Sequence, residues 1–251
     1  MNPAAIENAA ALLIAARRTH VPLLRLPEHC RPAAIDDALA IQAATIRQTG
    51  ERVAGYKVGG VIDGRVSYGM LLRSRIVRSG AAVDAKDMPL LGMEAEVAFR
   101  FLRDAPARAA PYSHDEVAQL VVAFPAIEIV ATRYADYKGT PLIERVADCM
   151  SNGAFVVGHD QPNWRALDLV KLPVTLHFGD ALIARTVGGH VAGDPLRPAV
   201  DLVNDLRLGP GVTAGQVMTT GTYTGLNFAT PPSRVRAAFE GFGVAEIDVR
   251  A

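Results

Sequence analysis

Met93-Glu94-Ala95-Glu96-Val97-Ala98-Phe99 is the stretch on which the prediction of the fold depends. Its alternating residues are typical of a β-strand, with Glu94 and Glu96 on one face and Met93, Ala95, Val97 and Phe99 on the other. Residues two apart on one strand face are about 6 to 7 Å apart, so the two carboxylates repel each other unless a cation lies between them.

A third glutamate stands inside a long apolar run. Glu128 is the only charged residue between Leu120 and Ala131, and a buried carboxylate is costly unless it is paired, protonated or bound to a metal. Three carboxylates from two strands suit a hard divalent ion, Mg²⁺ or Mn²⁺. The alternative is that Glu94 and Glu96 face solvent on an edge strand, as we expect for Glu246 and Asp248. Glu128 favours the metal site.

Composition narrows the class of partner. The 26 Lys and Arg residues balance the 26 Asp and Glu residues, so we expect no nucleic acid and no membrane partner, and a small molecule instead. Two cysteines, Cys30 and Cys149, are too few for a disulfide framework or a zinc site, and they predict a cytoplasmic protein. No apolar run approaches the length needed to span a bilayer.

The order of elements predicts an α+β protein with a helical N-terminal region, 1–52, and a β-rich catalytic domain, 53–251. Apolar spacing predicts helices over 4–18 and 33–48. Ser113 and Glu116 form a capping box that predicts a helix to about Phe124, ended by Pro125. Further along the chain we expect a hairpin around Gly179-Asp180, a helix from Asp194-Pro195 and a last strand over 244–249.

Several short motifs follow one another along the chain in a characteristic order. They are Gly55-Tyr56-Lys57-Val58-Gly59, Tyr68-Gly69-Met70-Leu71, Glu94-Ala95-Glu96, Pro125-Ala126-Ile127-Glu128, Ala147-Asp148 with Ser151-Asn152-Gly153, Gly193-Asp194-Pro195-Leu196 and Thr220-Gly221-Thr222. This ordered set resembles the 2-keto-4-pentenoate hydratase and 4-oxalocrotonate decarboxylase family of the fumarylacetoacetate hydrolase superfamily. The resemblance covers nearly the whole chain, and its specificity lies in the order of the motifs, since each motif alone is common.

The resemblance implies a mixed, rolled β-structure with flanking helices, and a divalent metal, Mg²⁺ or Mn²⁺, held by Glu94, Glu96 and Glu128. It also implies a 2-oxo or 2-enol acid as substrate and Lys57 as an active-site residue. The alternative for Lys57 is a strand lysine that extends to solvent. Ser151, Asn152, Thr220 and Thr222 lie near glycines and are candidate substrate-binding donors, although ordinary loop roles would also explain them.

One position departs from the family pattern. Where the hydratases carry an aspartate that acts as acid or base, this chain has Ser67. A serine cannot exchange a proton near neutral pH as a carboxylate can, so the hydration activity is in question. Asp63 is a candidate replacement if its loop folds inward, and a surface turn at Asp63-Gly64 is the alternative. Decarboxylation makes fewer demands on such an acid.

Three functions therefore stay open at this point. The first is a metal-dependent lyase, hydratase or decarboxylase, on a 2-oxo or 2-hydroxydienoic acid. The second is an acylpyruvate-type carbon–carbon hydrolase, which needs a histidine paired with an acid; the candidates are His20, His29, His114, His159, His177 and His190. The third is a non-catalytic relative that keeps metal and oxo-acid binding. Apolar N-terminal helices also predict a homo-oligomer.

Overall fold

A computed structural model describes all 251 residues. The helices are α1 (Pro3–Thr19), α2 (Ile35–Thr49), α3 (His114–Leu120), α4 (Leu142–Ala147) and α5 (Arg197–Leu206). The strands are β1 (Val53–Ile62), β2 (Arg65–Leu72), β3 (Ile76–Arg78), β4 (Ala81–Asp84), β5 (Gly92–Phe101), β6 (Val121–Val130), β7 (Asn152–Val157), β8 (Pro173–Phe178), β9 (Ala181–Val187), β10 (Val217–Thr222), β11 (Asn227–Phe228), β12 (Ser233–Phe239) and β13 (Gly243–Arg250).

The strands form two mixed sheets. The larger has the order β2-β1-β10-β5-β6-β7-β3, with β11 beside β5, and the smaller has the order β4-β13-β12-β8-β9. Three strand pairs are parallel, namely β1 with β10, β3 with β7 and β4 with β13, and all others are antiparallel. The α+β prediction is therefore confirmed, and β5 lies in the middle of the larger sheet.

The two faces of the larger sheet have different partners. On one face, Met93 and Val97 join an apolar core with Val235 and Ile247 of the smaller sheet. On the opposite face, a small apolar cluster contains Ala98, Phe124 and Phe155. Because side chains alternate along β5, Glu94 and Glu96 share the face of Ala98. The sheet face that carries Glu94 and Glu96 therefore also carries this small apolar cluster.

The N-terminal helices pack on the β-rich part of the chain. Apolar residues of α1 and α2, among them Leu13 and Ile41, share a cluster with Tyr134 and Val146. The helices begin and end close to the predicted bounds. The division into two regions at residue 52 stays a prediction. The shared apolar cluster contains residues from both regions. No helix is long and apolar enough to cross a bilayer.

One helix prediction is wrong. The capping box is present, since Ser113 Oγ accepts from the Glu116 N–H at 3.2 Å, but α3 ends at Leu120 and Pro125 lies inside β6. The Pro125 carbonyl accepts from Gly158 N just beyond the end of β7. The N–H and C=O of a strand residue point to the same side, so an N–H at residue 125 would point toward Gly158, where β7 has already ended. Proline, which lacks this N–H, therefore costs no hydrogen bond between β6 and β7.

The remaining predictions of local structure are confirmed. Gly179 and Asp180 turn between β8 and β9, and the last strand is β13. The helix predicted from Asp194 begins at Arg197, and Asp194 Oδ1 accepts from the Leu196 N–H at 3.0 Å just before it. The apolar residues at helical spacing in this segment are all buried, namely Leu196, Val200, Val203 and Leu206.

Candidate metal and substrate site

Three carboxylates meet on one face of the larger sheet. In the antiparallel register of β5 and β6, Glu94 lies directly opposite Glu128, and Glu96 is two residues further along β5. One oxygen from each carboxylate lies within 4.8 Å of the others. Glu128 and Glu96 are buried, and Glu94 is partly exposed. The edge-strand alternative is therefore wrong, whereas Glu246 does lie near solvent, paired with Arg234 and Arg236.

Burial and repulsion between carboxylates make Glu94 and Glu96 hard to ionise. Burial raises the pKa of Glu94, and the nearby Glu128 raises it further. Burial likewise raises the pKa of Glu96 well above its usual value, with Glu128 and Glu94 adding to the effect. A positive charge near these carboxylates would offset the free-energy cost of ionising them, because an adjacent cation stabilises the ionised form.

Lys57 on β1 provides part of that charge. Its Nζ lies 2.9 Å from Glu128 Oε1 and donates to the Met150 carbonyl at 3.3 Å. Burial acts to lower the pKa of Lys57, but the carboxylates of Glu128 and Glu94 outweigh it and raise the pKa above its usual value. The alternative in which Lys57 extends to solvent is wrong, since only 14% of its side chain is exposed.

The site suits a divalent ion. Glu128 Oε2 is buried and has no hydrogen-bond partner, and a single lysine leaves three neighbouring carboxylates under-compensated. Carboxylate oxygens are the preferred ligands of hard cations such as Mg²⁺ and Mn²⁺. The free buried oxygen and the donor set therefore fit the predicted metal, with Glu94, Glu96 and Glu128 as the residues that would hold it.

A left-handed turn closes over the carboxylates. Cys149, Met150 and Ser151 have φ values of 49°, 53° and 58°, a region in which non-glycine residues are uncommon. The turn packs so closely on β2 that a Cβ at Gly69 would lie 2.4 Å from the Cys149 carbonyl oxygen. Glycine at this position lets the turn bring the Met150 carbonyl to Lys57.

A buried ion pair holds the two ends of this turn. Arg133 Nε lies 2.5 Å from Asp148 Oδ1, and Arg133 Nη1 donates to the Asn152 carbonyl at 3.0 Å. Arg17 of α1 also donates to the Asn152 carbonyl, at 3.4 Å, and burial lowers the pKa of Arg17 to about 10. Arg133 is not among the predicted site residues, although an arginine three residues after the apolar β6 is a signal for a buried charge.

The predicted substrate-binding residues occupy different places. Asn152 Nδ2 donates to Glu128 Oε1 at 3.3 Å, and Ser151 Oγ is buried without a partner. In contrast, Thr220 Oγ1 donates to the Val97 carbonyl at 3.2 Å, and Thr222 Oγ1 to the Ala95 carbonyl at 3.4 Å. The two threonine hydroxyls therefore tie β10 to β5, while Ser151 keeps a free donor.

Thr219 is a further polar residue of this face, and it is not among the predicted site residues. It is paired with Lys57 on β1 and with Ala98 on β5, and residues paired across neighbouring strands share a face. Its buried Oγ1 has no partner. The sequence could not distinguish it from Thr220, because only strand pairing decides which of two consecutive threonines faces the carboxylates.

The two candidates for proton exchange make no hydrogen bond to the carboxylates. Asp63 is exposed in the two-residue turn between β1 and β2, so the surface-turn alternative describes its position. Ser67 is buried, and its hydroxyl donates to the Gly60 carbonyl at 2.6 Å. Neither side chain forms a hydrogen bond to Glu94, Glu96 or Glu128. Their catalytic roles stay predictions. The contacts of Lys57 with the carboxylates favour Lys57 as the residue that exchanges a proton.

Comparisons with known proteins give a consistent result. No family model matches the chain. 2-Keto-4-pentenoate hydratase 2 of Dechloromonas aromatica (strain RCB) is 30% identical over 250 residues, which cover 94% of each protein. 4-Oxalocrotonate decarboxylase of Pseudomonas putida is 27% identical over 221 residues, covering 82% of each. The structure of 4-oxalocrotonate decarboxylase from Pseudomonas putida G7, complexed with magnesium and adipate, superposes with a TM-score of 0.86 at 22% identity, covering 99% of this chain and 98% of that one.

This superposition confirms the predicted fold class, a mixed, rolled β-structure with flanking helices. The level of identity and the coverage decide the family. The chain belongs to the 2-keto-4-pentenoate hydratase and 4-oxalocrotonate decarboxylase family. The prediction that it is an enzyme of this family is confirmed.

Metal affinity is expected to fall as the pH falls. Metal binding requires ionised carboxylates, and the pKa values of Glu94 and Glu96 are raised, so protons compete with the metal at a higher pH than at ordinary glutamates. Between about pH 8 and about pH 5.5 we expect the Mg²⁺ dissociation constant to rise by roughly tenfold or more. Isothermal titration calorimetry measures it, and a constant that does not change over this range would contradict the raised pKa values.

Proposed function

We propose that this protein is a divalent-metal-dependent lyase that acts on a 2-oxo or 2-hydroxydienoic acid. The observation that carries the proposal is the cluster of Glu94, Glu96 and Glu128 with Lys57 in contact with it. The family relatives named as hydratases and as a decarboxylase support the reaction class. Mg²⁺ or Mn²⁺ is the proposed cofactor, and the small-molecule oxo acid is the proposed partner.

The metal, when bound, supplies Lewis acidity that draws electrons from the keto oxygen of a 2-oxo acid. The chain's own groups bind and orient the substrate around that centre. Ser151 Oγ and Thr219 Oγ1 are buried donors without partners, so each is free to hydrogen-bond a substrate oxygen. Lys57 Nζ holds a proton next to the carboxylates and can attract the substrate carboxylate or deliver that proton to carbon.

Decarboxylation is favoured over hydration by the positions of the polar groups. Water addition requires a group that takes a proton from water, in addition to a donor that protonates carbon. Asp63 is exposed in a turn, and Ser67 donates its hydroxyl to Gly60, which leaves Lys57 as the cation paired with the cluster. Loss of carbon dioxide needs only the electron sink and the return of one proton.

The hydrolase alternative has less support. Such an enzyme needs a histidine paired with an acid to activate water. The histidine pairs with carboxylates are His20 with Asp87, and His114 with Asp115 and Asp194, and all are near the surface. None of them contacts Glu94, Glu96 or Glu128. The lyase reaction, which needs no such pair, fits the cluster better.

Cytoplasmic location and self-association are parts of the same proposal. Cys30 and Cys149 are both free and buried, as suits a reducing compartment. The apolar residues of α1 and α2 are largely used within the chain, so the surface that favours self-association is β9 instead. This strand is an edge of the smaller sheet and exposes Leu182, Ile183 and Val187, and unpaired apolar edges readily pair with a second copy.

A substrate panel tests the proposed function. With Mg²⁺ present we expect ultraviolet absorbance changes for an oxalocrotonate-like diacid, with release of carbon dioxide, and slower change for 2-hydroxypenta-2,4-dienoate. Mg²⁺ should also raise the melting temperature, and Glu128→Gln should remove both effects, because two carboxylates offset the dehydration of the ion poorly. Cleavage of an acylpyruvate alone would identify a hydrolase, and binding of metal without any turnover would identify a non-catalytic relative.

Lys57→Met keeps the apolar stem of the side chain and removes its charge. We expect turnover on the active panel substrate to fall by about 100-fold or more, because the proton carrier is lost. The free energy of unfolding of the metal-free protein should fall by about 3 kcal/mol, because Glu128 loses its buried partner. Steady-state kinetics and denaturant unfolding measure these effects. Lys171→Met is the control, since that lysine is 80% exposed, and normal turnover of Lys57→Met would refute its role.

Self-association through β9 is expected to depend on its exposed apolar residues. Ile183→Lys places a charge on the free edge, which disfavours pairing between strands. We expect wild-type protein to be oligomeric by light scattering, and the variant to have a lower mass. Equal masses for the two proteins would exclude this edge as the interface.

A further inference from the structure

The loop between β9 and α5 covers one residue of β10. Gly188, Gly189 and Gly193 in this loop all have positive φ, and the loop packs on Gly221. A Cβ built on Gly221 would lie 2.5 Å from Val191 Cγ2, and 3.5 Å from both Cε1 and Nε2 of His190. The loop therefore occupies the space that a side chain at Gly221 would need.

Gly221 is in contact with a proposed metal ligand. Its N–H donates to Glu96 Oε2 at 3.2 Å. The pairing of β10 with β5 is irregular between Thr219 and Thr222, so Gly221 lies outside the regular ladder. A backbone segment without ladder pairing must be held by other contacts if its N–H is to stay on one oxygen atom. The Thr220 and Thr222 hydroxyls tie β10 to β5 on either side of this segment, and the His190 and Val191 side chains lie against Gly221 itself.

The orientation of His190 is held from two sides. Its Nδ1 accepts from the Ala192 N–H at 3.1 Å, so in the neutral ring the proton lies on Nε2. The ring also packs edge-to-face on Tyr223, with centroids 5.0 Å apart, and the Tyr223 hydroxyl donates to the Leu169 carbonyl at 2.8 Å. Burial lowers the pKa of His190 to about 4, opposed by the nearby backbone of Gly221. A neutral, fixed ring thus lies against Gly221.

The far end of the loop is also anchored. Asp194 Oδ2 lies 2.9 Å from His114 Nε2 at the start of α3, and Asp194 Oδ1 accepts from the Leu196 N–H before α5. The loop is therefore fixed at its end while His190 and Val191 project onto Gly221. Its attachment to α3 and α5 therefore limits the movement of the side chains that lie against Gly221 of β10.

We infer that His190, together with Val191, is a positioning residue that keeps the Gly221 N–H on Glu96 and thereby strengthens the binding of a divalent ion. The inference rests on the proposed metal site. Groups that hydrogen-bond a metal's ligands orient those ligands, and they set the affinity without touching the ion. Here the orienting group is itself positioned by another residue. The His190 ring holds the Gly221 backbone, and the Gly221 N–H orients the Glu96 carboxylate.

Mg²⁺ affinity, measured by isothermal titration calorimetry on the full chain, tests the inference. We expect His190→Ala to raise the dissociation constant by about tenfold, the lower end of the range for groups that orient metal ligands. His177→Ala is the matched control, because His177 also has a buried ring nitrogen without a partner but lies on β8 of the other sheet. Its dissociation constant should equal that of the wild type.

A second variant separates the ring contact from the loop's own hydrogen bond. In His190→Asn, the side-chain oxygen can accept from the Ala192 N–H, but the side chain is too short to reach Gly221. We expect binding as weak as in His190→Ala. Wild-type affinity in either variant would overturn the inference, because the ring contact would then be unnecessary.

A third variant covers a failure of the His190 variants to fold, which circular dichroism would reveal. Val191 is 71% exposed, so Val191→Ala should fold and should raise the dissociation constant by roughly threefold, since it loses only part of the contact with Gly221. Unchanged affinity in that variant would overturn the inference. If the wild type itself binds no Mg²⁺, the proposed function fails, and this outcome is distinct from wild-type binding that the variants leave unaltered.

Discussion

Repulsion among three clustered carboxylates, two of them buried, is the constraint on which the rest of the site depends. Glu94 and Glu128 face each other across β5 and β6, and Glu96 adds a third charge. Like charges at this separation in a dry environment are tolerated only where cations and hydrogen-bond donors compensate them. Lys57, the Asn152 amide and the Gly221 N–H each contact one of the carboxylates, and a divalent ion would complete the balance.

Much of the surrounding structure brings those donors into place. The left-handed turn at 149–151 leads into Asn152, and it is held by the buried pair of Arg133 and Asp148. This turn fits against β2 only because residue 69 has no side chain. Arg17 extends the same network to α1, which gives the N-terminal helices a physical connection to the site. The helices thus contribute to the arrangement around Glu128 as well as to the core.

The wrong prediction for the helix after Ser113 followed a local rule that long-range strand pairing overrode. Proline usually ends a helix or interrupts a strand, which led to the prediction of a helix up to Phe124. In the structure Pro125 lies inside β6, at the point where the neighbouring strand β7 has ended. The roles of Ser67 and Asp63 stay predictions, and the sequence leaves their positions open because these depend on how β1 turns into β2.

The sequence by itself determined the α+β class, the family, the alternation that puts Glu94 and Glu96 on one strand face, and the burial of Glu128. These follow from residue spacing and from the order of motifs, both of which are properties of the linear chain. Only the tertiary structure decided that Glu94 lies opposite Glu128, that Lys57 pairs with Glu128, and that Thr219 rather than Thr220 faces the carboxylates. The reason is that strand register and loop packing join residues far apart in sequence, and a shift of one residue would turn each side chain to the opposite face.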